Sequence, residues 1–223
     1  VREIRDRGHE VASHGNSHVM CAEMSVTELK DDLLNSKALL EDISGHMVQG
    51  YRAPSFSVSN TVLDRIFNAG YIYDSSYNSF ALNKRYGKVD LKKTNSATGI
   101  AMQSQNGFFE LPISNLCWKN KVIPWGGGGY FMLIPSVFFV EGVRQILRKN
   151  DAYLFYMHPW EFDSEQPRVK DVSRMLGFRH YVNLHKTAAK LQRFLGSFAY
   201  CSFVTCSEYI ELNNGQKIFP VTM

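Results

Sequence analysis

Short apolar runs alternate with helical segments along this chain, and this alternation constrains the fold more than any other feature. Runs of strand length occur at residues 48–52, 71–73, 153–157 and 202–205. The clearest helix between them begins with the capping box Ser25–Glu28. Strands that alternate with helices predict an α/β protein with a mainly parallel sheet or barrel. The chain shows no repeat and no linker, so a single domain over residues 1–223 is expected.

Two glycine-containing segments and one apolar run give further local predictions. Asn106-Gly107 lies in a β-rich stretch and is typical of a hairpin turn. Four consecutive glycines, Gly126–Gly129, predict a loop, because a regular element does not tolerate such a run. Tyr153–Met157 is continuously apolar, which predicts a central strand that is buried on both faces.

Polar residues follow the predicted strands at several points. His14 and His18 come after a strand-like segment, and Arg52, Asp74 and His158 each follow a further strand. Functional groups gather at the carboxyl ends of the strands in parallel α/β proteins. Each residue alone has an ordinary alternative role: a surface ion pair, a helix cap or a packed histidine. Together they indicate a functional site.

The segment His14-Gly15-Asn16-Ser17-His18 carries the most specific chemistry. Two histidines four residues apart can point to one side of a helical turn and reach one metal ion. Gly15 suits a tight loop at a strand end. A lone H-x-x-x-H pattern is a weak signal, and ordinary surface or core histidines are the alternative.

Composition excludes two classes of partner. The net charge is +4 without a dense block of Lys and Arg, so no nucleic-acid partner is expected. No apolar run approaches the roughly 18 residues of a membrane span, so no membrane-spanning segment is expected. Four cysteines without a C-x-x-C pair predict reduced thiols, which favours a cytoplasmic location.

Taken in order, these blocks resemble the polysaccharide deacetylases, the NodB-homology enzymes of carbohydrate esterase family 4. Four segments follow the motif order of that family. They are Gly8-His9-Glu10 with the histidine pair after it, Arg52-x-Pro54, Asp74-Ser75-Ser76 and Met157-His158. The match is closest to the subgroup associated with exopolysaccharide and exosortase loci. Members of this subgroup carry segments similar to residues 51–57, 125–131, 156–161 and 178–183.

The resemblance implies a distorted (β/α)7 barrel, a divalent metal that is usually zinc, and hydrolysis of N-acetyl groups on amino sugars of a polysaccharide, here an exopolysaccharide. It implies that His14 and His18 bind the metal and that His158 is the catalytic acid. Arg52 would orient the catalytic base, and Asp74 would tune His158.

The resemblance also implies substrate contacts. Ser55 stands where many members have Tyr, whose backbone N–H helps to bind the oxyanion, and a main-chain donor does not depend on the side chain. Trp125, Tyr130 and Trp160 are candidates for the apolar walls of a sugar cleft. Core packing is the alternative for these aromatic residues, because several of them must be core.

One departure from the family pattern bears on activity. The first family motif is an Asp-rich strand end that supplies the catalytic base and a third metal ligand, and it would lie upstream of Gly8. Asp31-Asp32 lies on the amphipathic helix and Asp163 lies beyond His158, so neither substitutes well. We therefore expect a barrel without its first strand, and weak metal binding with little activity from this chain alone.

Two alternatives stay open at this stage. The first is a catalytically dead relative that keeps a glycan-binding cleft and has lost the chemistry. The second is an amidohydrolase of the same fold that acts on a small amide.

Overall fold

The computed structural model describes residues 1–80, 86–90, 94–119, 121–169 and 172–214. The chain divides into two compact units. The first unit contains Val1–Ile113 and Phe203–Met223, and the second contains Ser114–Ser202. A single domain over residues 1–223 stays a prediction.

Helices and short strands alternate only as far as residue 74, after which the remaining strands and then the remaining helices follow in separate runs along the described residues. The helices are α1 (Arg2–Asp6), α2 (Val26–Ser44), α3 (Asn60–Asn68), α4 (Gly128–Leu133), α5 (Ser136–Leu147), α6 (Arg174–Tyr181), α7 (Leu184–Gly196) and α8 (Cys206–Asn214). The strands are β1 (Gly50–Tyr51), β2 (Tyr73–Asp74), β3 (Thr94–Thr98), β4 (Ala101–Ser104), β5 (Phe109–Glu110), β6 (Asn115–Trp118) and β7 (Lys121–Pro124). Of the helices described, none has both the length and the apolar character needed to cross a membrane.

A five-stranded mixed sheet forms the centre of the first unit, in the order β1-β2-β5-β4-β3. Strands β1, β2 and β5 run parallel, and β4 and β3 continue the sheet antiparallel. Ser13 extends the parallel part through a bridge to Tyr51, in which the Ser13 N–H donates to the Gly50 carbonyl at 2.9 Å. The predicted α/β class with parallel strands is confirmed.

The predicted hairpin and helix ends of the first unit are largely confirmed. Gly107, at φ +86°, closes the turn between β4 and β5. Helix α2 begins with the capping box of Ser25 and Glu28. Helix α3 is capped by the Ser59 hydroxyl, which accepts the Val62 N–H.

An aromatic core holds the second unit together. Its buried side chains include Trp125, Phe131, Phe139, Phe194 and Phe198. The Phe131 ring meets the Phe139 and Phe194 rings edge-on, with centroids 5.0 and 5.6 Å apart, a favourable aromatic geometry. This cluster fixes α4, α5 and α7 against one another.

Two of the predicted strands do not form. Residues 153–157 are half-buried, and their one bridge among the described residues joins Tyr156 to Gly127. The prediction of a central strand buried on both faces is wrong, because the neighbouring backbone is the Gly126–Gly127 loop. Residues 202–205 form no strand either, because Thr205 and Glu208 exchange the two hydrogen bonds of a capping box that starts α8.

The glycine run is only partly a loop. Gly127 is the N-cap of α4, and Gly128 and Gly129 already belong to its first turn, so the loop prediction is wrong for these two residues. A helix tolerates them there because the first N–H groups have no intrahelical partner. A Cβ atom at Gly128 would lie 2.0 Å from Oε2 of Glu161. Close approach of this carboxylate therefore requires glycine at position 128.

Candidate functional site

Polar residues of the first unit meet at the carboxyl ends of its parallel strands. His14 follows the bridging residue Ser13, and Arg52 follows β1. Asp74 ends β2 and is in register with Glu110, which ends β5. The predicted residues His14, Arg52 and Asp74 therefore lie at one edge of the sheet, and Glu110 joins them.

The two histidines of the H-x-x-x-H segment are neighbours. Their ring centroids are 4.9 Å apart, with an interplanar angle of 75°. His14 Nδ1 lies 2.6 Å from the Arg52 carbonyl oxygen. When Nδ1 donates to this carbonyl, Nε2 keeps the lone pair that a metal ion needs.

Asp32 on α2 holds the loop between these histidines. Its carboxylate accepts the backbone N–H groups of Asn16 at 2.9 Å and Ser17 at 2.7 Å. Gly15 has φ +80°, and a Cβ atom there would lie 3.0 Å from Asp32 Oδ2. Asp32 lies on the predicted amphipathic helix, but the sequence did not indicate that this buried carboxylate supports the histidine loop.

Ser75 holds the Arg52 side chain. Arg52 Nε donates to the Ser75 carbonyl oxygen, and Nη2 donates to its hydroxyl oxygen, both at 2.8 Å. The Ser75 hydroxyl donates its own proton to the Leu111 carbonyl oxygen, also at 2.8 Å. The guanidinium group is therefore fixed by a hydroxyl group whose direction is itself fixed.

Ser76 holds the main chain that follows Arg52. Its hydroxyl oxygen accepts the Ala53 N–H at 2.7 Å, and the hydroxyl donates to Asp74 Oδ1 at 2.7 Å. The Ser76 N–H donates to the other carboxylate oxygen of Asp74 at 2.8 Å. The Asp74-Ser75-Ser76 motif thus positions the Arg52-Ala53-Pro54 motif.

The turn after Pro54 presents one backbone donor. The Phe56 and Ser57 N–H groups donate to the carbonyl oxygens of Ala53 and Pro54. Within the described part of the chain the Ser55 N–H has no acceptor. Ser55 and Phe56 have φ angles of 54° and 56°, in the left-handed region, where a non-glycine residue stores about 1–3 kcal/mol. Such strain is typical of functional loops.

Asp74 and Glu110 form a buried pair of carboxyl groups. Burial raises the pKa of Asp74 to about 6, against hydrogen bonds from Glu110 and Ser76 and the charge of Arg52, which lower it. Burial, followed by the charge of Asp74, raises the pKa of Glu110 well above its usual value. Glu110 Oε1 accepts the Tyr77 N–H at 2.9 Å. Glu110 Oε2 is buried and has no partner at hydrogen-bonding geometry among the described residues, and burial favours the protonated form of this carboxyl group.

Glu110 was not predicted from the sequence. It is a single charged residue in the apolar segment Phe108–Leu111 at the end of a hairpin. That isolation was the available signal, but the partner of Glu110 is set by the pairing of β5 with β2.

The donor set at the histidine pair fits part of a metal site. His14 and His18 can supply two imidazole nitrogens, the ligand type that zinc favours. Over the residues that the structure describes, no group of three or more His, Cys, Asp and Glu side chains could hold a metal ion. The described residues therefore offer two imidazoles here, one fewer than the usual three protein ligands, and metal binding by His14 and His18 stays a prediction.

His158 lies in the second unit and has a half-exposed side chain, 49% accessible. Its ring stacks on Trp160, with centroids 5.0 Å apart, and Trp160 stacks on His180 at 4.3 Å. His180 Nε2 lies 2.8 Å from Gln166 Oε1. Two imidazoles thus stack on the Trp160 ring, which is still 36% exposed, and a sugar contact by Trp160 stays a prediction.

Glu161 follows in the same short 3-10 turn, Pro159–Phe162. Its carboxylate is 2% exposed and accepts the His158 backbone N–H at 2.7 Å. The same oxygen lies 3.6 Å from His158 Nδ1. Glu161 lies in the family-like segment 156–161, but the sequence predicted no role for it.

The two other aromatic candidates differ in exposure. Trp125 is buried, stacks on Phe139 with centroids 5.5 Å apart, and donates its indole N–H to the Phe139 carbonyl oxygen at 3.0 Å. Trp125 thus packs in the core, which is the alternative that the sequence left open. Tyr130 on α4 is half-buried and lies under the Arg179 guanidinium, 5.7 Å from it. Its contact with sugar stays a prediction.

Comparison with known families divides the chain near residue 74. Residues 1–73 match the family described as polysaccharide deacetylase. Residues 75–210 match the family described as domain of unknown function DUF3473. The first match contains the histidine pair and Arg52, and the second contains Glu110 and His158.

A sequence relative and two solved structures are similar to the chain. A peptidoglycan deacetylase of Helicobacter pylori is 37% identical over 76 residues, which is 34% of this chain and 26% of that protein. The chain thus spans about a quarter of the length of that relative. A crystal structure from Mycobacterium smegmatis, assigned as a polysaccharide deacetylase, superposes with a TM-score of 0.58 at 20% identity, covering 100% of this chain and 68% of that one. An allantoinase superposes with a TM-score of 0.53 at 11% identity, covering 97% and 63%.

Proposed function

This chain belongs to the NodB-type polysaccharide deacetylases that carry a DUF3473 domain, and from this membership we propose that the protein hydrolyses N-acetyl groups on amino sugars of a polysaccharide. The predicted NodB-like α/β fold is confirmed. One observation supports the proposal above the others. His14 Nδ1 lies 2.6 Å from the carbonyl oxygen of Arg52, the residue that leads into the turn strained at Ser55 and Phe56.

In this proposal His14 and His18 hold a divalent metal, with zinc the first choice because both ligands are imidazoles. When bound, the metal supplies Lewis-acid polarisation of the acetamide carbonyl and lowers the pKa of water. The Arg52 carbonyl fixes His14 through Nδ1, and Asp32 fixes the loop that joins the two histidines.

The Ser55 N–H is proposed to stabilise the carbonyl oxygen of the acetyl group as negative charge develops on it. A fixed main-chain donor in a preorganised turn contributes mainly in the transition state, because it needs no rearrangement when the charge forms. The strain at Ser55 and Phe56 is consistent with this use, since the surrounding hydrogen bonds maintain it.

His158 of the second unit is proposed to protonate the leaving amine. Hydrolysis breaks the amide C–N bond, and the amine nitrogen must gain a proton as acetate forms. Histidine suits this transfer near neutral pH. The half-exposed imidazole of His158 is accessible to a substrate, unlike the fully buried carboxyl of Asp74.

Two polymers are candidate substrates. The motif resemblance favours an exopolysaccharide, and the name of the Helicobacter pylori relative favours peptidoglycan. Both polymers can present N-acetylglucosamine, so an assay of acetate release from N-acetylglucosamine oligomers, purified peptidoglycan and an N-acetylated exopolysaccharide separates them. The protein that contains this chain is assayed with zinc and with a chelator, beside His14→Ala and His158→Ala.

We expect zinc-dependent acetate release that both substitutions abolish, with glycan binding retained in His158→Ala. Glycan binding without acetate release would contradict the proposal and favour the catalytically dead relative. Hydrolysis of small amides without action on any polymer would favour the amidohydrolase. The similarity to the allantoinase structure concerns the fold alone and does not test this chemistry.

We further propose that the isolated 223-residue chain binds zinc weakly and releases acetate slowly. The reason is the donor set, in which two imidazoles supply two of the usual three protein ligands. Tight zinc binding with fast acetate release by this chain would contradict the proposal. A cytoplasmic location also stays a proposal, testable by cell fractionation.

A further inference from the structure

The buried carboxylate of Glu161 contacts His158 in two ways. It accepts the His158 backbone N–H at 2.7 Å, and the same oxygen lies 3.6 Å from Nδ1 of the imidazole. The second distance is too long for a hydrogen bond and lies within the range of an ion pair. Glu161 is 2% exposed, whereas the His158 side chain is 49% exposed. The buried carboxylate of Glu161 therefore contacts the accessible imidazole of His158 on its protein-facing side.

The fold keeps space for this carboxylate. A Cβ atom on Gly128 would lie 2.0 Å from Glu161 Oε2 and 2.5 Å from its Cδ. The backbone at Gly128 is itself fixed, because its N–H donates to the Tyr156 carbonyl oxygen at 3.0 Å. Neither partner can move away easily, so glycine at 128 and glutamate at 161 depend on each other. This contact explains why position 128 of the four-glycine run is glycine. The proposed catalytic function assigns no role to that run.

The His158 ring is restrained on other sides as well. Its face stacks on Trp160 at an interplanar angle of 20°, and Tyr156 meets it edge-on, with centroids 5.9 Å apart. Rotation of the ring by 180° about the Cβ–Cγ bond would exchange the positions of Nδ1 and Cδ2. The charge of Glu161 opposes that exchange, because a protonated Nδ1 facing a carboxylate is favoured.

We propose that Glu161 is a positioning residue that keeps a proton on His158 Nδ1, so that Nε2 exchanges the proton with the leaving amine. This inference rests on the proposed function, in which His158 is the acid. The resemblance assigned the tuning of His158 to Asp74. We assign the positioning role instead to Glu161, in the turn that directly follows His158.

Two substitutions separate the charge of Glu161 from its structural contact. Glu161→Gln keeps an oxygen that can accept the His158 N–H but removes the charge that faces Nδ1. Glu161→Asp keeps the charge on a shorter side chain. We expect Glu161→Gln to lower kcat about tenfold or more with KM unchanged, since a general acid contributes about 10²- to 10⁴-fold. Glu161→Asp should recover part of that loss.

Glu28→Gln is the matched control. Glu28 also lies three residues after its capping partner and accepts the Ser25 backbone N–H at 2.8 Å, but no histidine faces it. This substitution should leave kcat unchanged. Equal kcat values for Glu161→Gln and Glu28→Gln would overturn the inference.

A spectroscopic measurement tests the inference without turnover. Nitrogen-15 chemical shifts of the neutral His158 ring report which nitrogen carries the proton. We expect the Nδ1–H form in the native protein and a mixture of tautomers in Glu161→Gln. A native ring in the Nε2–H form would overturn the inference, even if the variants fail to fold. An inactive native protein with the Nδ1–H form would instead contradict the proposed function alone.

Discussion

The carboxylate of Asp32 accepts the backbone N–H of Ser17 at 2.7 Å, so a residue of helix α2 fixes the loop between the two proposed metal ligands. A second bond, from the Asn16 N–H to the same carboxylate, makes the contact bidentate. Hydrogen bonds between a carboxylate and backbone N–H groups are charge-assisted and stronger than neutral ones. Loss of this carboxylate should release the loop, and the imidazoles would no longer be held together.

Asp32→Ala is therefore expected to weaken zinc binding about tenfold or more, as the loss of groups that orient metal ligands does elsewhere. Isothermal titration of the protein with zinc measures the affinity. Asp31→Ala is the control, because Asp31 is the exposed neighbour on the same helix. Equal zinc affinities of the two variants would show that Asp32 does not support the metal site.

Ser75→Ala tests whether the Arg52 side chain must be held in place. The substitution removes the hydroxyl that accepts from Nη2 but keeps the main-chain bond to Nε. We expect a loss of stability of about 1 kcal/mol, together with a several-fold fall in kcat.

Ser44→Ala is the matched control for this prediction. Ser44 is equally buried and donates its hydroxyl proton to the His46 carbonyl oxygen at 3.2 Å, away from Arg52. It should lose stability, as measured by urea unfolding, without a fall in kcat. If both variants keep full activity, Ser75 serves stability alone.

The local signals in the sequence predicted local structure well. The capping box of Ser25 and Glu28 and the turn at Gly107 lie where the pattern placed them. His14, Arg52 and Asp74 also lie at strand ends as expected, whereas His158 does not, because residues 153–157 form no strand. These features depend on a few neighbouring residues, so a sequence window contains their cause. The same holds for the pairing of His14 with His18, whose ring centroids are brought within 4.9 Å by the three intervening loop residues.

The features that the sequence missed depend on contacts between distant segments. Glu110 meets Asp74 only because β5 pairs with β2, and Asp32 faces inward only because α2 packs beside the histidine loop. The apolar run at residues 153–157 failed as a strand because its neighbour is a glycine loop. In each case the deciding residue lies outside any local window.

The buried pair of Asp74 and Glu110 predicts a pH dependence of stability. The folded-state pKa of Asp74 is raised from 3.8 to about 6, so the native protein binds this proton more tightly than the unfolded chain does. The stabilising effect of protonating Asp74 is fully present below the pKa of Asp74 in the unfolded chain, and it is lost as the pH rises through about 6. The slope is on the order of 1.4 kcal/mol per pH unit for each proton.

Urea unfolding at about pH 4 and about pH 7 measures this effect, against the opposite contributions of other groups. Asp74→Asn should remove the component due to Asp74, so that stability falls less across this range than in the native protein. Asp42→Asn, an exposed change on α2, should leave the native dependence intact. Identical pH profiles of the native protein and Asp74→Asn would contradict the assigned pKa.

His180 supports the Trp160 ring, which in turn supports the proposed acid His158. The His180 and Trp160 centroids are 4.3 Å apart at an interplanar angle of 18°, and such aromatic contacts contribute about 0.5–1.5 kcal/mol. His180→Ala exposes one face of the indole and removes its support. We expect a loss of stability of this size and a several-fold decrease in kcat, because the ring that stacks on His158 becomes less restrained.

His180→Phe separates stacking from hydrogen bonding. Phenylalanine keeps a flat ring against Trp160 but cannot bond to Gln166, whose Oε1 lies 2.8 Å from His180 Nε2. Recovery of kcat in this variant would assign the effect to stacking, and recovery of neither kcat nor stability would assign it to the bond with Gln166. His185→Ala, at an exposed position of α7, is the control and should match the native protein. If His180→Ala also matches the native protein in kcat, the support of Trp160 does not reach His158, and its orientation must come from Glu161 and Tyr156.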